Sequence, residues 1–149
     1  ERENLHMTLR FLGAMPEARV LELQKAMARH LSSRPFALRF DRVGTFPERG
    51  APRVVWLGAS DGAAEATRAR DELEQRLVAI NVPPESRPFR PHLTLGRFRG
   101  SGRASERQAI RDVSVGTFEL HVDHLTLYES HLSSRGPSYV RLLTVELSP

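Results

Sequence analysis

The tetrapeptide His-x-Thr-Leu occurs three times, as His6-Met7-Thr8-Leu9, His92-Leu93-Thr94-Leu95 and His124-Leu125-Thr126-Leu127. No other feature restricts the fold as much. Side chains on a β-strand alternate between faces, so a His and a Thr two apart project together. The intervening Met7 and Leu9, or Leu93 and Leu95, then point the other way into a core. Two such strands facing each other hold two imidazoles and two hydroxyls around one small cavity. With six His and seven Thr in 149 residues, roughly 0.3 His-x-Thr matches are expected by chance. Three matches therefore need a cause.

The copies are not equivalent. A site for anionic oxygens needs cationic donors. Arg10 and Arg97 closely follow the first two copies, whereas Glu129 follows the third. The third copy also continues a run whose apolar residues are even-numbered (Phe118, Leu120, Val122) and become odd-numbered at Leu125 and Leu127. That switch of parity predicts a bulge or twist near His124, and His124 reads as structural. The candidate site residues are therefore His6, Thr8, His92 and Thr94. A base, an acid and two neutral donors suit in-line displacement at phosphorus.

Composition bounds the rest. A chain of 149 residues, 40% hydrophobic and 27% charged, makes one globular domain with a real core. No apolar stretch approaches a membrane span and no signal-peptide pattern opens the chain. With no cysteine there are no disulfides, thiolate nucleophiles or cysteine-ligated metals, and a cytoplasmic location fits. The basic residues are 21 Arg and Lys25 alone, for a net charge of +4. Arg suits bidentate phosphate recognition, although a skew this extreme also follows from a genome rich in G and C. The charge gives mild support for an anionic ligand and does not imply duplex DNA.

Along the chain, residues 3–13 read as a strand closed by Gly13. A helix over 16–32 follows, with Val20, Leu23, Met27 and Leu31 on its apolar stripe. Residues 35–44 alternate Phe36, Leu38 and Phe40 as a half-buried strand, 45–52 form a loop, and 53–59 form the next strand. A second helix over 61–80 takes Asp61 as N-cap and buries Leu73, Leu77 and Ile80. A proline-rich loop leads to the second motif strand, 90–98. Residues 100–102 make a turn, a third helix over 104–113 is anchored by Ile110, and strands over 118–128 and 139–147 flank a turn at 133–137. Strands and helices mixed in this order predict an α+β fold of two lobes, pseudo-twofold, with antiparallel sheets lining a central cleft and helices outside.

The segments Asn4-Leu5-His6-Met7-Thr8-Leu9-Arg10-Phe11-Leu12-Gly13 and Pro91-His92-Leu93-Thr94-Leu95-Gly96-Arg97 resemble the two signatures of the 2H phosphoesterases. Within that superfamily the match is closest to bacterial and archaeal RNA 2′,3′-cyclic phosphodiesterases, formerly called 2′-5′ RNA ligases. The strand Arg53-Val54-Val55-Trp56-Leu57-Gly58 and the ending Leu127-Tyr128-Glu129-Ser130-His131-Leu132, with Gly136 and Tyr139, also look like family features. The resemblance covers essentially the whole chain, as a single domain over 1–149. Members usually carry a strand and a helix before the first motif, and this sequence has neither. It opens on Glu1 and runs straight into the motif, which reads as an N-terminally incomplete domain.

The resemblance implies hydrolysis of a 2′,3′-cyclic phosphate to the 2′-phosphate, with RNA ends or cyclic nucleotides as partners, no cofactor, no metal and a monomeric protein. Leaning on it, His6 is assigned the acid and His92 the base. It also implies a phosphate contact for Arg97, which strict alternation would turn away from the cavity. A bulge at Gly96 would bring it back. Arg10 shares the parity of His6 and Thr8, and is read either as a substrate contact or as a surface residue. Phe46, in a loop, is a candidate to stack a base, while Phe11 is read as core. Two other functions stay open: reversible 2′-5′ ligation at the same site, and a module of the same fold that binds nucleotides or RNA ends without turning them over.

Overall fold

The computed structural model describes residues 5–100, 102–133 and 136–149. Expectations resting on Glu3, Asn4, Ser101, Ser134 and Arg135 lie outside the described residues. The elements run α1 (Glu17–Met27), β1 (Phe36–Phe46), β2 (Val54–Ala59), α2 (Ala63–Ala79), β3 (His92–Arg97), α3 (Ala104–Arg111), β4 (Phe118–Val122), β5 (His124–Ser133) and β6 (Gly136–Glu146). Strands β3-β2-β1-β4 form one sheet in that order, and β5 pairs antiparallel with β6 in a second. The α+β class is as expected. The chain divides into two compact units, each assembled from three stretches, so the units are not the two halves of the sequence.

The first unit takes the start of the chain through Thr8, Ala37–Ala63 and Arg90–Leu120. Its core follows from alternation on β1, where Leu38 and Phe40 are fully buried. Phe118 of β4 stacks on Phe40 with ring centroids 4.9 Å apart. A register shift between Phe40 and Arg42 reverses the parity of β1 against β2, so Gly44 comes to lie opposite Trp56 and Phe46 opposite Val54. Helix α3 is anchored by Arg107, which is 9% exposed, and not by the half-buried Ile110 expected from its sequence. The Arg107 guanidinium donates to Thr45 Oγ1 (2.7 Å), Pro47 O (2.8 Å), Glu48 O (2.8 Å) and Gly50 O. One long side chain thus organises the loop that follows β1.

The second unit contains Leu9–Phe36, Ala64–Phe89 and His121–Pro149. Helix α1 buries Leu23 and Met27 as its stripe predicts, but it ends five residues before Ser32. The chain is needed elsewhere there. Leu31, fully buried, makes a parallel bridge to Leu147, and Ser148 N donates to Leu31 O at 2.9 Å. In α2 the buried face is Ala66, Ala69, Glu74 and Leu77; Leu73 and Ile80 are only half-buried. Asp61 does not enter the helix, and its carboxylate pairs with Arg39 at 3.6 Å. The strand read over 118–128 breaks at Asp123, where the parity of its apolar residues changes. β4 completes the four-stranded sheet and β5 leaves to pair with β6. No described helix is long and apolar enough to cross a membrane.

Candidate active site

Pairing register decides which side chains share a face. On β3, His92 lies opposite Gly58 and Thr94 opposite Trp56. Paired residues of an antiparallel ladder project to the same side. Met7 bridges Leu93 antiparallel, on the other side of the sheet, where Leu93 is buried. Met7 thus lies against the open edge of β3, with His6 and Thr8 as its chain neighbours. Both His-x-Thr pairs therefore come from one unit, their segments side by side at the β3 edge of its sheet. Among the described residues the first motif segment makes this single bridge, where the sequence predicts a strand over 3–13.

The bulge invoked for Arg97 is present, one residue earlier. Val55 pairs with Gly96 and Trp56 with Thr94, so Leu95 is the extra residue. Beyond it Arg97 pairs with Val54, on the Trp56 side, and so joins the face of His92 and Thr94. The same bulge turns Leu95 outward to 47% exposure, correcting its assignment to the core.

His92 is held on several sides. Its Nδ1 lies 2.6 Å from Arg90 O. A carbonyl can only accept, so Nδ1 carries the hydrogen and Nε2 is left to exchange a proton. Phe46 packs edge-on to the imidazole at 5.1 Å, and Trp56 does so at 6.3 Å. Phe46 and Trp56 pack on each other at 5.1 Å. Phe46 is thus the last residue of β1, set against His92, and not a loop residue.

Trp56 is the residue that sequence reasoning missed. Its indole lies along the sheet over two glycines. A Cβ on Gly44 would sit 2.3 Å from Trp56 Cζ2, and one on Gly58 would sit 2.7 Å from Cζ3. The signal was available: glycine inside a strand often marks a close approach, and Gly44 and Gly58 are the two strand positions that bracket this ring.

Other candidates lie elsewhere. Arg10 belongs to the second unit, where its guanidinium is 3.3 Å from Glu74, 3.2 Å from Glu85 and donates to Pro83 O at 2.5 Å. These contacts occupy it structurally, in place of the substrate contact considered for it. Phe11 is 71% exposed, against its core reading. His124 is exposed at the start of β5 and bonds Asp123 Oδ1 through Nδ1 at 2.5 Å. That hydrogen bond holds the Asp123 carboxyl below its ordinary range. Glu85 is drawn down to about 2, chiefly by hydrogen bonds from the Arg87 side chain and backbone.

The fold and the two motifs define a phosphoesterase-like class, and comparison names it: the chain belongs to the 2′-5′ RNA ligase superfamily, whose family model matches residues 1–133. Among relatives, the RNA 2′,3′-cyclic phosphodiesterase of Aeropyrum pernix is 37% identical over 150 residues, covering 98% of this chain and 84% of the relative. The protein of the same name from Aquifex aeolicus is 35% identical over 144 residues, covering 93% and 76%. Among solved structures, E. coli LigT complexed with 3′-AMP aligns with TM-score 0.76 at 25% identity, over all of this chain and 80% of that one. TT0787 of Thermus thermophilus aligns with TM-score 0.70 at 30% identity, over 96% and 78%.

Proposed function

We propose that this chain hydrolyses 2′,3′-cyclic phosphates at RNA ends or on nucleosides, leaving the 2′-phosphate. The observation that carries the proposal is the antiparallel Met7–Leu93 bridge, which brings the two His-x-Thr segments side by side. Relatives named RNA 2′,3′-cyclic phosphodiesterase support it. So does the structural likeness to LigT complexed with 3′-AMP.

In this reading His92 Nε2 takes a proton from water as the water oxygen bonds to phosphorus. The bond from phosphorus to the ribose 3′ oxygen breaks opposite the attack, and His6 protonates that oxygen. Thr8 and Thr94 donate to the non-bridging oxygens, and Arg97 adds a cation where charge accumulates. Exchange with solvent returns both imidazoles to their starting forms. The two imidazoles supply the proton transfers, so the mechanism assigns no step to a metal. The same ring opening with a 5′-hydroxyl in place of water, its proton passing to His92 while His6 protonates the departing 3′ oxygen, joins the cyclic phosphate to a second chain through a 2′-5′ bond, which is the ligation reading.

The test is incubation with each nucleoside 2′,3′-cyclic monophosphate in EDTA, with product identification. Turnover to the 2′-phosphate is expected. Dependence on added divalent metal would overturn the mechanism. Tight binding of the cyclic nucleotides without turnover would favour the binding-module alternative.

A further inference from the structure

A second feature adjoins the aromatic wall of the site. Where the chain leaves β1 there is a concavity of about 340 Å³, lined among others by Trp56, Thr45, Glu48, Arg49, Arg107 and Arg111. Trp56 lines this space and also packs edge-on to His92, so the two sites meet at one indole.

The charges are unbalanced. Three guanidinium groups surround the space against one carboxylate, Glu48, and that carboxylate is engaged by Arg90. Arg107 is buried and spends its donors on Thr45 and the carbonyls of Pro47, Glu48 and Gly50. Its role is to fix the loop that carries Arg49. Arg49 and Arg111 are both exposed, one on that loop and one in the last turn of α3. Two guanidinium groups on anchored elements suit an anion with several oxygens.

We infer that this concavity is a subsite for the phosphodiester on the 5′ side of the terminal nucleoside, so that the enzyme favours RNA chains over mononucleosides. The inference rests on the proposed hydrolysis at His6 and His92. An RNA end bearing a cyclic phosphate carries a further phosphate one nucleoside away, and a nucleoside 2′,3′-cyclic phosphate carries none. The nucleoside between them spans the aromatic wall, where the Trp56 and Phe46 rings offer apolar surface.

The experiment compares three substrates: a nucleoside 2′,3′-cyclic phosphate, the same compound bearing a 5′-phosphate, and a short RNA ending in the cyclic phosphate. Each is assayed on the wild-type protein and on Arg49→Gln/Arg111→Gln. Substituting these two exposed residues leaves the core intact. The double variant should keep kcat and KM for the plain nucleoside substrate. For the RNA, KM should rise about 10-fold, and the salt slope of log KM should fall by about 0.7 for each phosphate no longer neutralised. A rise for the 5′-phosphorylated nucleoside as large as for the RNA would assign the subsite to a terminal phosphate and overturn the preference for chains. Equal losses on all three substrates, or no loss on the RNA, would overturn the subsite. If wild-type protein turned over none of them, the hydrolysis reading would fail instead. Equilibrium binding of the RNA would then decide the subsite, since equal affinity of wild type and double variant would refute it.

Discussion

Adding one methyl group at Gly44 should displace Trp56 and with it the support of His92. In the native arrangement the new Cβ would stand 2.3 Å from Cζ2, 2.6 Å from Cη2 and 2.8 Å from Cε2 of the indole. Carbon atoms in contact prefer about 3.5 Å or more, so the ring must move by roughly 1.2 Å. Strand β1 cannot easily yield in its place, because its backbone is committed to the β2 ladder from Arg42 to Phe46. Overpacking of this kind costs about 1–3 kcal/mol of stability. The imidazole is packed by Trp56 and Phe46 together, and a misplacement near 1 Å at a reacting group costs about 100-fold in rate. Gly44→Ala should therefore fold, lose about 1–3 kcal/mol by denaturant titration, and fall well below wild type in kcat while KM changes less.

The chain has a single tryptophan, so intrinsic emission reports Trp56 alone and should shift in Gly44→Ala under native conditions. The decisive comparison uses Trp56→Leu as a second background. With the indole gone, the added methyl meets open space, so combining Gly44→Ala with Trp56→Leu should cost little more than Trp56→Leu alone. A coupling of about 1 kcal/mol or more is expected for residues in such contact. Additive effects in the two backgrounds, or unchanged emission in Gly44→Ala, would refute the close approach and the support of His92 drawn from it.

His6→Ala and His92→Ala should each lower the rate at least about 100-fold, while His124→Ala should stay near wild type; equal losses at all three in a cyclic nucleotide assay would sink the distinction. With one imidazole acting neutral and the other protonated, kcat/KM should follow a bell-shaped pH profile whose two apparent pKa values belong to the pair; a single-limbed profile would argue against shared acid–base work. Arg107→Leu strands four oxygens of the loop after β1 and should cost about 2–4 kcal/mol by chemical denaturation; a near-neutral effect would show that the loop is held otherwise. For Glu85, whose folded pKa is lowered from 4.5 to about 2, the contribution to stability is full above 4.5 and lost as pH falls toward 2. Arg87→Ala should bring its NMR titration midpoint back toward 4.5, and an unmoved midpoint would show that Arg87 is not the cause.

That Leu93 turns into the core while His92 and Thr94 share the other side was legible because strand alternation is a local property. Neither Met7 nor Leu93 needs a distant neighbour to declare its parity. The α+β class was legible for the same reason, and Leu23, Met27, Phe36, Leu38 and Phe40 are buried as their spacing requires. Where the reading failed, a long-range partner had overridden local pattern. Arg10 continues the alternation of its motif, yet Glu74 and Glu85 from the region of α2 claim its guanidinium. Helix α1 has the apolar spacing to reach Leu31, but Leu31 serves as a bridge partner of Leu147 instead.

The bulge on β3 shows how far sequence can go and what it needs to go further. Gly96 and the demand for a cation at Arg97 require a parity change somewhere between Thr94 and Arg97, and they do not fix where. The structure places it at Leu95, because Trp56 must remain opposite Thr94 to lie along the cleared sheet surface. Strand β2 carries Gly58 two residues beyond Trp56, on the same face, and β1 supplies Gly44 directly across. Removing side chains at both positions leaves a flat bed for one indole, and the ring ends beside His92. The glycines, the tryptophan and the bulge are thus one construction: the register that seats the ring is the register that turns Arg97 onto the histidine face. A variant that closes the bulge by deleting Leu95 should therefore disturb Arg97 and Trp56 together, and the single tryptophan would report it.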